Sequence, residues 1–177
     1  MTPQDLVAKG FTPEWAVFFT SMIPVVELRG ALPLAINLFK IPWQKAFIIS
    51  FIGNILPVPF ILLFLKPVTD LLCKVYLFKR FFDWLFSKTR KKSRVIEKYE
   101  ELGLLIFVAI PLPGTGAWTG ALLAYLMGLD FKKSIFFIGI GVFIAGVIVT
   151  SLCLIGWIGA IIAVCAMVIF VLIRIFY

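Results

Sequence analysis

Charge-free stretches divide this chain into three long apolar blocks, Ala46 to Leu65, Leu102 to Leu129 and Ser134 to Ile173. Each reaches the roughly 20 apolar residues that a membrane-crossing helix needs. Ahead of the first block, Thr12-Pro13-Glu14 reads as a helix start, with Thr12 as cap and Pro13 at the first helical position. The helix it opens, Glu14 to Ile23, is too short to cross: at ~1.5 Å per residue it covers about 15 Å of a hydrocarbon core of about 30 Å. Pro24-Val25-Val26-Glu27-Leu28-Arg29-Gly30 then interrupts the pattern before a second apolar arm, Ala31 to Phe39. The expected form is a re-entrant hairpin that dips into the bilayer and returns, while one kinked helix of about 26 residues is the alternative that length permits.

Trp43 to Leu65 suits a full crossing with Trp43 at one interface and with Pro57 and Pro59 bending it or unwinding one turn. Between Pro67 and Ser87, Leu71, Val75, Phe78, Phe82 and Leu85 recur at three- and four-residue spacing, which predicts a helix lying on the membrane surface. The third block repeats the first: a short arm, Leu102 to Ile110, then Pro111-Leu112-Pro113-Gly114-Thr115-Gly116, then an arm from Ala117 to Gly128. Two prolines and two glycines in six residues cannot continue a helix. Ser134 to Ile173 holds two further crossings, turned at Gly156-Trp157-Ile158-Gly159.

The two broken segments also match in sequence. Ile23-Pro24 followed by Gly30-Ala31-Leu32 answers Ile110-Pro111 followed by Gly120-Ala121-Leu122, at offsets between 87 and 90 residues. Chance likeness among apolar segments is the competing explanation. Ten of the seventeen Lys and Arg fall between Lys66 and Lys98, which places that stretch on the cytoplasmic side. The first hairpin then enters from outside and the second from inside, an inverted repeat of the kind found in many secondary transporters. Lys132, Lys133 and Arg174 also fall inside, whereas Lys40 and Lys45 lie outside as a mild exception. The expected architecture is an all-α integral membrane protein, with two opposed re-entrant hairpins, about three full crossings and a basic amphipathic surface helix. It forms a single transmembrane domain over residues 1–177: hairpin plus crossing at 14–65, the basic surface segment at 66–100, hairpin plus crossing at 101–157 and a last crossing at 158–177.

Composition agrees, since 62% of the 177 residues are hydrophobic and only 15% charged, against about 25% charged in an ordinary soluble domain. The net charge of +8 is wedged between membrane segments, so anionic lipid headgroups are the expected partner rather than nucleic acid. Cys73, Cys153 and Cys165 are too scattered for a disulfide framework and read as small hydrophobes. Histidine is absent, which removes the commonest metal ligand and general base and leaves no credible zinc site or His-assisted triad. No cofactor and no enzymatic activity are expected. A cleavable signal peptide is not expected either, because no basic region opens the chain and a proline interrupts its first apolar stretch.

Candidate chemistry centres on Glu27 and Arg29. A charge at the centre of a membrane helix costs about 2.5 to 3.5 kcal/mol on insertion scales, so something must offset it. One reading is structural: the two neutralise each other or cap the hairpin's freed backbone groups. The other is that a desolvated Glu27 takes up and releases a proton while Arg29 holds an anionic substrate group. In the second break, Pro111, Pro113, Gly114 and Gly116 leave backbone groups free, and the helix start that follows offers a ready anion site. Thr115, Trp118 and Thr119 are expected to line that tip, with simple hairpin turning as the plainer alternative. Asn54, a lone amide within the first crossing, is expected to satisfy an unwound carbonyl or to touch substrate. Gly139, Gly141, Ala145 and Gly146 suit close helix packing.

The runs Pro24-Val25-Val26-Glu27-Leu28-Arg29-Gly30-Ala31-Leu32-Pro33 and Pro111-Leu112-Pro113-Gly114-Thr115-Gly116-Ala117-Trp118-Thr119-Gly120 resemble the small multidrug export protein family of bacteria and archaea. The resemblance covers most of the chain and implies a multi-pass protein of a prokaryotic plasma membrane. That family looks distantly similar to the DedA superfamily, whose members have opposed re-entrant hairpins and are linked to proton-driven movement of lipids such as undecaprenyl phosphate. By resemblance, Glu27 matches the embedded acid and Arg29 a hairpin arginine, although the second hairpin here has no acid or arginine of its own. The expectation is a proton-coupled transporter of a small amphipathic or lipid-like substrate, with Glu27, Arg29, Asn54 and the 111–119 tip as its site. The alternatives are a flippase for an anionic lipid and a membrane-organising subunit without turnover, and under each reading a second copy of the chain is a candidate partner in a homo-oligomer.

Overall fold

A computed structural model describes residues 12–72, 97–112 and 114–156, with scattered positions between 158 and 168. These residues are helical or in short connections, with no strand among them. Helix α1 spans Pro13–Met22 and α2 spans Glu27–Pro33, continued by a π-helical turn at Leu34–Leu38. Helices α3 (Trp43–Ile55) and α4 (Pro57–Leu72) meet at Leu56, whose amide still donates to the Ile52 carbonyl at 3.0 Å. Then follow α5 (Glu97–Ala109), α6 (Ala117–Met127) and α7 (Phe131–Leu154).

Local chemistry accounts for most of these boundaries. Thr12 is the N-cap of α1 with Pro13 at its first position, as expected, although the Thr12 side chain makes no capping bond to the backbone. The first break is shorter than the sequence suggested. Only residues 23–26 leave the helix, and Glu27 already begins α2. Pro33 lacks the amide needed to continue the regular ladder, and the chain relaxes after it into the wider turn, where the Ile41 amide reaches back to the Ala35 carbonyl. Gly128 ends α6 in the left-handed conformation with φ 78°, the usual glycine stop. Asp130 caps α7 by accepting from the Lys132 amide at 3.2 Å.

Two helices are long and apolar enough to cross a membrane, Trp43–Thr69, in which α3 and α4 are continuous, and Phe131–Leu154. Helix α4 runs through Pro67 to Leu72, so the start expected for the surface helix belongs to this helix. The rest of that segment lies outside the described residues, as do Cys73 and most of the last crossing, including Arg174.

The interior is built from small side chains. Ala31, Ala35, Ala46, Ala117, Ala121 and Ala124 are buried beside Leu28, Leu32, Leu104 and Ile138, while Phe60, Phe64, Phe136 and Ile148 face outward. With large apolar groups outside and alanine inside, the fold suits a lipid solvent, where close backbone approach rather than water exclusion holds helices together. Two glycines mark close approaches between neighbouring helices. A Cβ on Gly53 of α3 would lie 2.7 Å from the Phe18 carbonyl of α1, and one on Gly141 of α7 would lie 3.0 Å from the Leu105 carbonyl of α5.

Helix directions follow from the contacts. Lys45 near the start of α3 bonds Glu14 near the start of α1 at 2.8 Å, and further along both helices Gly53 meets Phe18 and Ser21, so α1 and α3 run the same way. Lys133 bonds Glu101 at 2.8 Å and Gly141 meets Leu105 and Val108, so α5 and α7 also run the same way. Between α3 and α7 the order reverses: Ile55 lies at Gly139, Phe51 packs on Phe143 with ring centroids 6.1 Å apart, and Phe47 lies at Gly146.

Candidate functional site

Where the breaks of the two apolar segments meet, Glu27 and Arg29 are held together. Glu27 is only 4% exposed and begins α2 with φ 50°, a left-handed conformation that a non-glycine residue adopts at a cost of order 1–3 kcal/mol. Its position is fixed from two sides. Oε2 accepts from Arg29 Nη1 at 3.3 Å, and Oε1 accepts from the Trp118 amide at 3.3 Å. The carboxylate thus sits at the N-terminus of α6, where free amides and the helix dipole favour negative charge. Gly116 makes this possible, since a Cβ there would collide with the Glu27 carboxylate.

Arg29 does the converse at the end of α5. Its Nη2 donates to the carbonyls of Val108, Ile110 and Thr115, each at 3.1 Å. Those acceptors include carbonyls that the interrupted helix leaves free, and a cation is favoured at that helix end. The acid closes one side of the second break and the arginine closes the other. The second break returns the service: Trp118 Nε1 donates to the Met22 carbonyl at the end of α1 at 3.1 Å. Each broken segment therefore satisfies backbone groups of the other.

This geometry corrects two expectations. The helix start after Gly116 is not an open anion site, because the Glu27 carboxylate occupies it. Arg29 is likewise engaged by four oxygens of the chain rather than left free for an incoming anion. Within the tip, Thr115 Oγ1 donates to Ile110 and Leu112 carbonyls at 2.7 and 2.9 Å, and Thr119 Oγ1 donates to the Gly116 carbonyl at 3.1 Å. Both hydroxyls brace the turn. Gly114 has φ 81° and stands exposed at the tip beside Pro111 and Leu112, while Pro113 lies outside the described residues.

Asn54 joins the pair across a small closed space lined also by Leu28, Val108, Ala117, Val142 and Ala145, too tight to admit a water molecule. Its Oδ1 has no hydrogen-bond partner, and neither does Arg29 Nε in the same lining, nor Ser50 Oγ and Thr150 Oγ1. A buried polar atom without a partner costs about 1–3 kcal/mol, so these four among the described residues are an energetic anomaly. For Asn54 it is the acceptor oxygen that lacks a donor, whereas a bond to a carbonyl would use the amide nitrogen. Ser50 and Thr150 carry no sequence signal beyond being hydroxyls in apolar runs. Ala145 is marked only as a small residue suited to helix packing, and Val142 carries no signal at all.

No group of His, Cys, Asp or Glu among the described residues could hold a metal ion. A family model described as "Putative small multi-drug export protein" matches residues 27–148, a span that contains Glu27, Arg29, Asn54 and the whole second break. Comparison with curated proteins and with solved structures gives no match.

Proposed function

The chain belongs to the small multi-drug export protein family, and from that premise we propose that it is a secondary transporter. In this reading two re-entrant hairpins from opposite membrane faces close on the Glu27–Arg29 pair. The proposed cargo is a small amphipathic or lipid-like molecule, exchanged against a proton on Glu27.

Re-entrance is supported by chain length. Glu14 and Lys45 place the starts of α1 and α3 at one face, and α1, with ten residues, descends only about 15 Å. Were α2 and its π turn to go on descending by a further ~18 Å, the five residue-to-residue steps from Leu38 to Trp43, with a reach of at most ~18 Å, could not bring the chain back. The same reasoning applies to α5, α6 and the short link to α7.

Inversion is supported by equivalent contacts. Glu14 and Glu101, like Phe18 and Leu105, are 87 residues apart, and Lys45 and Lys133, like Gly53 and Gly141, are 88 apart. Each unit thus has an ion pair and a close glycine approach at matching places. The equivalent helices α3 and α7 run in opposite directions, and Ile55 against Gly139 is the counterpart of Phe51 against Phe143. A two-fold axis across the helices would produce this pattern.

The observation that carries the proposal is the depth of the pair. Asn54 lies near the middle of Trp43–Thr69 and Val142 near the middle of Phe131–Leu154, and both line the space beside Glu27 and Arg29. An ionisable pair at mid-membrane that joins two units is placed to bias their separation. Protonating Glu27 removes its charge from Arg29 and from the α6 amides, loosening the junction so that substrate enters. Because the closed site has no room for a ligand, this separation is required for binding. In proteoliposomes with an internal pH dye and ethidium as amphipathic probe, wild-type protein is expected to exchange the two. Glu27→Gln should abolish exchange in protein that remains folded, at a lowered Tm because Arg29 loses its buried counter-charge, and undiminished exchange by that variant overturns the proposal.

A further inference from the structure

Three of the four unpartnered buried polar side-chain atoms among the described residues lie on the adjoining helices α3 and α7. Ser50 and Asn54 are one turn apart on α3 and share a face. Helix α7 runs antiparallel beside them, and Gly146 lies at Phe47, so Thr150, one turn further on, is about 6 Å nearer the face marked by Glu14 and Lys45. From that face inward the order is Thr150, Ser50, Asn54 and then the Glu27–Arg29 pair, with Arg29 Nε also unpartnered.

The internal repeat supplies a control within the molecule. At the offset of 88 residues, Ser50 corresponds to Ile138, Asn54 to Val142 and Thr150 to Leu62. Ile138 and Val142 are buried, and Leu62 packs against the same core. The three matching positions toward the opposite face are therefore apolar.

We propose that Thr150, Ser50 and Asn54 form a one-sided water route, which fills when the units part and carries protons to Glu27 from the Lys45 face alone. This rests on the carrier reading for its purpose, but its geometry is independent. The row leaves polar atoms without partners in the closed state because water is their partner in the open one, and apolar replacements at the equivalent positions seal the other side. No further ionisable side chain lines the space. On the helices packed against α2, Glu14, Lys45, Lys132 and Lys133 lie in first turns and Cys153 in a last turn. With the basic segment Lys66–Lys98 inside, the Lys45 face is the outer one, where a proton-motive force delivers protons.

The test is thiol accessibility in sealed vesicles of known orientation, in a background with Cys73, Cys153 and Cys165 replaced by serine. Ser50→Cys should react with a small impermeant methanethiosulfonate at least ten-fold faster than Ile138→Cys, and only with reagent on the Lys45 side. Equal rates, faster reaction of Ile138→Cys, or reaction of Ser50→Cys from the opposite side overturns the route. As a second readout, Ser50→Ala combined with Asn54→Leu should slow carbodiimide modification of Glu27 about ten-fold, and an unchanged rate counts against the route. Lost contrast in a protein that still transports overturns the route alone. Retained contrast, with Glu27→Gln transporting normally, overturns the carrier alone.

Discussion

Gly116 shows how one missing carbon can hold a site together. Its hydrogen lies where a methyl group would strike the Glu27 carboxylate, and its backbone, at φ −83° and ψ −166°, suits any residue. Gly116→Ala should therefore act through the collision alone. The carboxylate is expected to leave the α6 amides, with a loss of about 1–3 kcal/mol for the buried groups left unpaired. A lowered Tm together with lost transport would be the outcome, and an unchanged Tm would count against the geometry. Trp118→Phe keeps the ring but removes the donor to the Met22 carbonyl, so a smaller loss of about 1 kcal/mol is expected in thermal unfolding. The sequence marks Glu27 and Arg29 because charge is expensive in an apolar run. It gives no warning that their partners are main-chain groups of Val108, Ile110, Thr115 and Trp118, since any residue carries an amide and a carbonyl.

At the level of helices, the two ion pairs are matched tests. Lys45 and Lys133 are exposed while Glu14 and Glu101 are half-buried, and pairs so open to solvent contribute about 0–1 kcal/mol. Their main consequence is for which state the helices adopt rather than for global stability. Reversing the charge of Lys45 or Lys133 alone should alter transport, and restoring attraction by reversing the partner as well should recover it, while Tm moves little. Recovery in neither double variant would mean the pairs are incidental. The spacing of these residues is legible in the sequence, because Glu14 to Glu101 falls at the offset of 87 that relates Ile23-Pro24 to Ile110-Pro111, and Lys45 to Lys133, at 88, falls within the range of offsets between the two breaks. What was not legible is that the members of each pair lie on helices running in one direction, which depends on how the chain turns between them. The first break is likewise shorter than its composition suggests, because Leu28, Arg29 and Gly30 are held in helix once α2 packs against α3 and α7.

For the molecule as a whole, the proposed inversion makes a prediction about sides. Cysteines placed at Lys45 and at Lys133 should be labelled by an impermeant reagent from opposite faces of the membrane, and labelling from one face would refute the inversion. Membrane residence, the places where helices break and the two charged residues that matter all follow from the sequence, because transfer into lipid and the missing amide of proline are properties of single residues. The tertiary structure alone decided that acid and arginine close the other unit's break, and that Asn54, Ser50 and Thr150 stay unpartnered. Both depend on which helix ends are brought within ~3 Å, a matter of packing between residues far apart in the chain that no local pattern encodes.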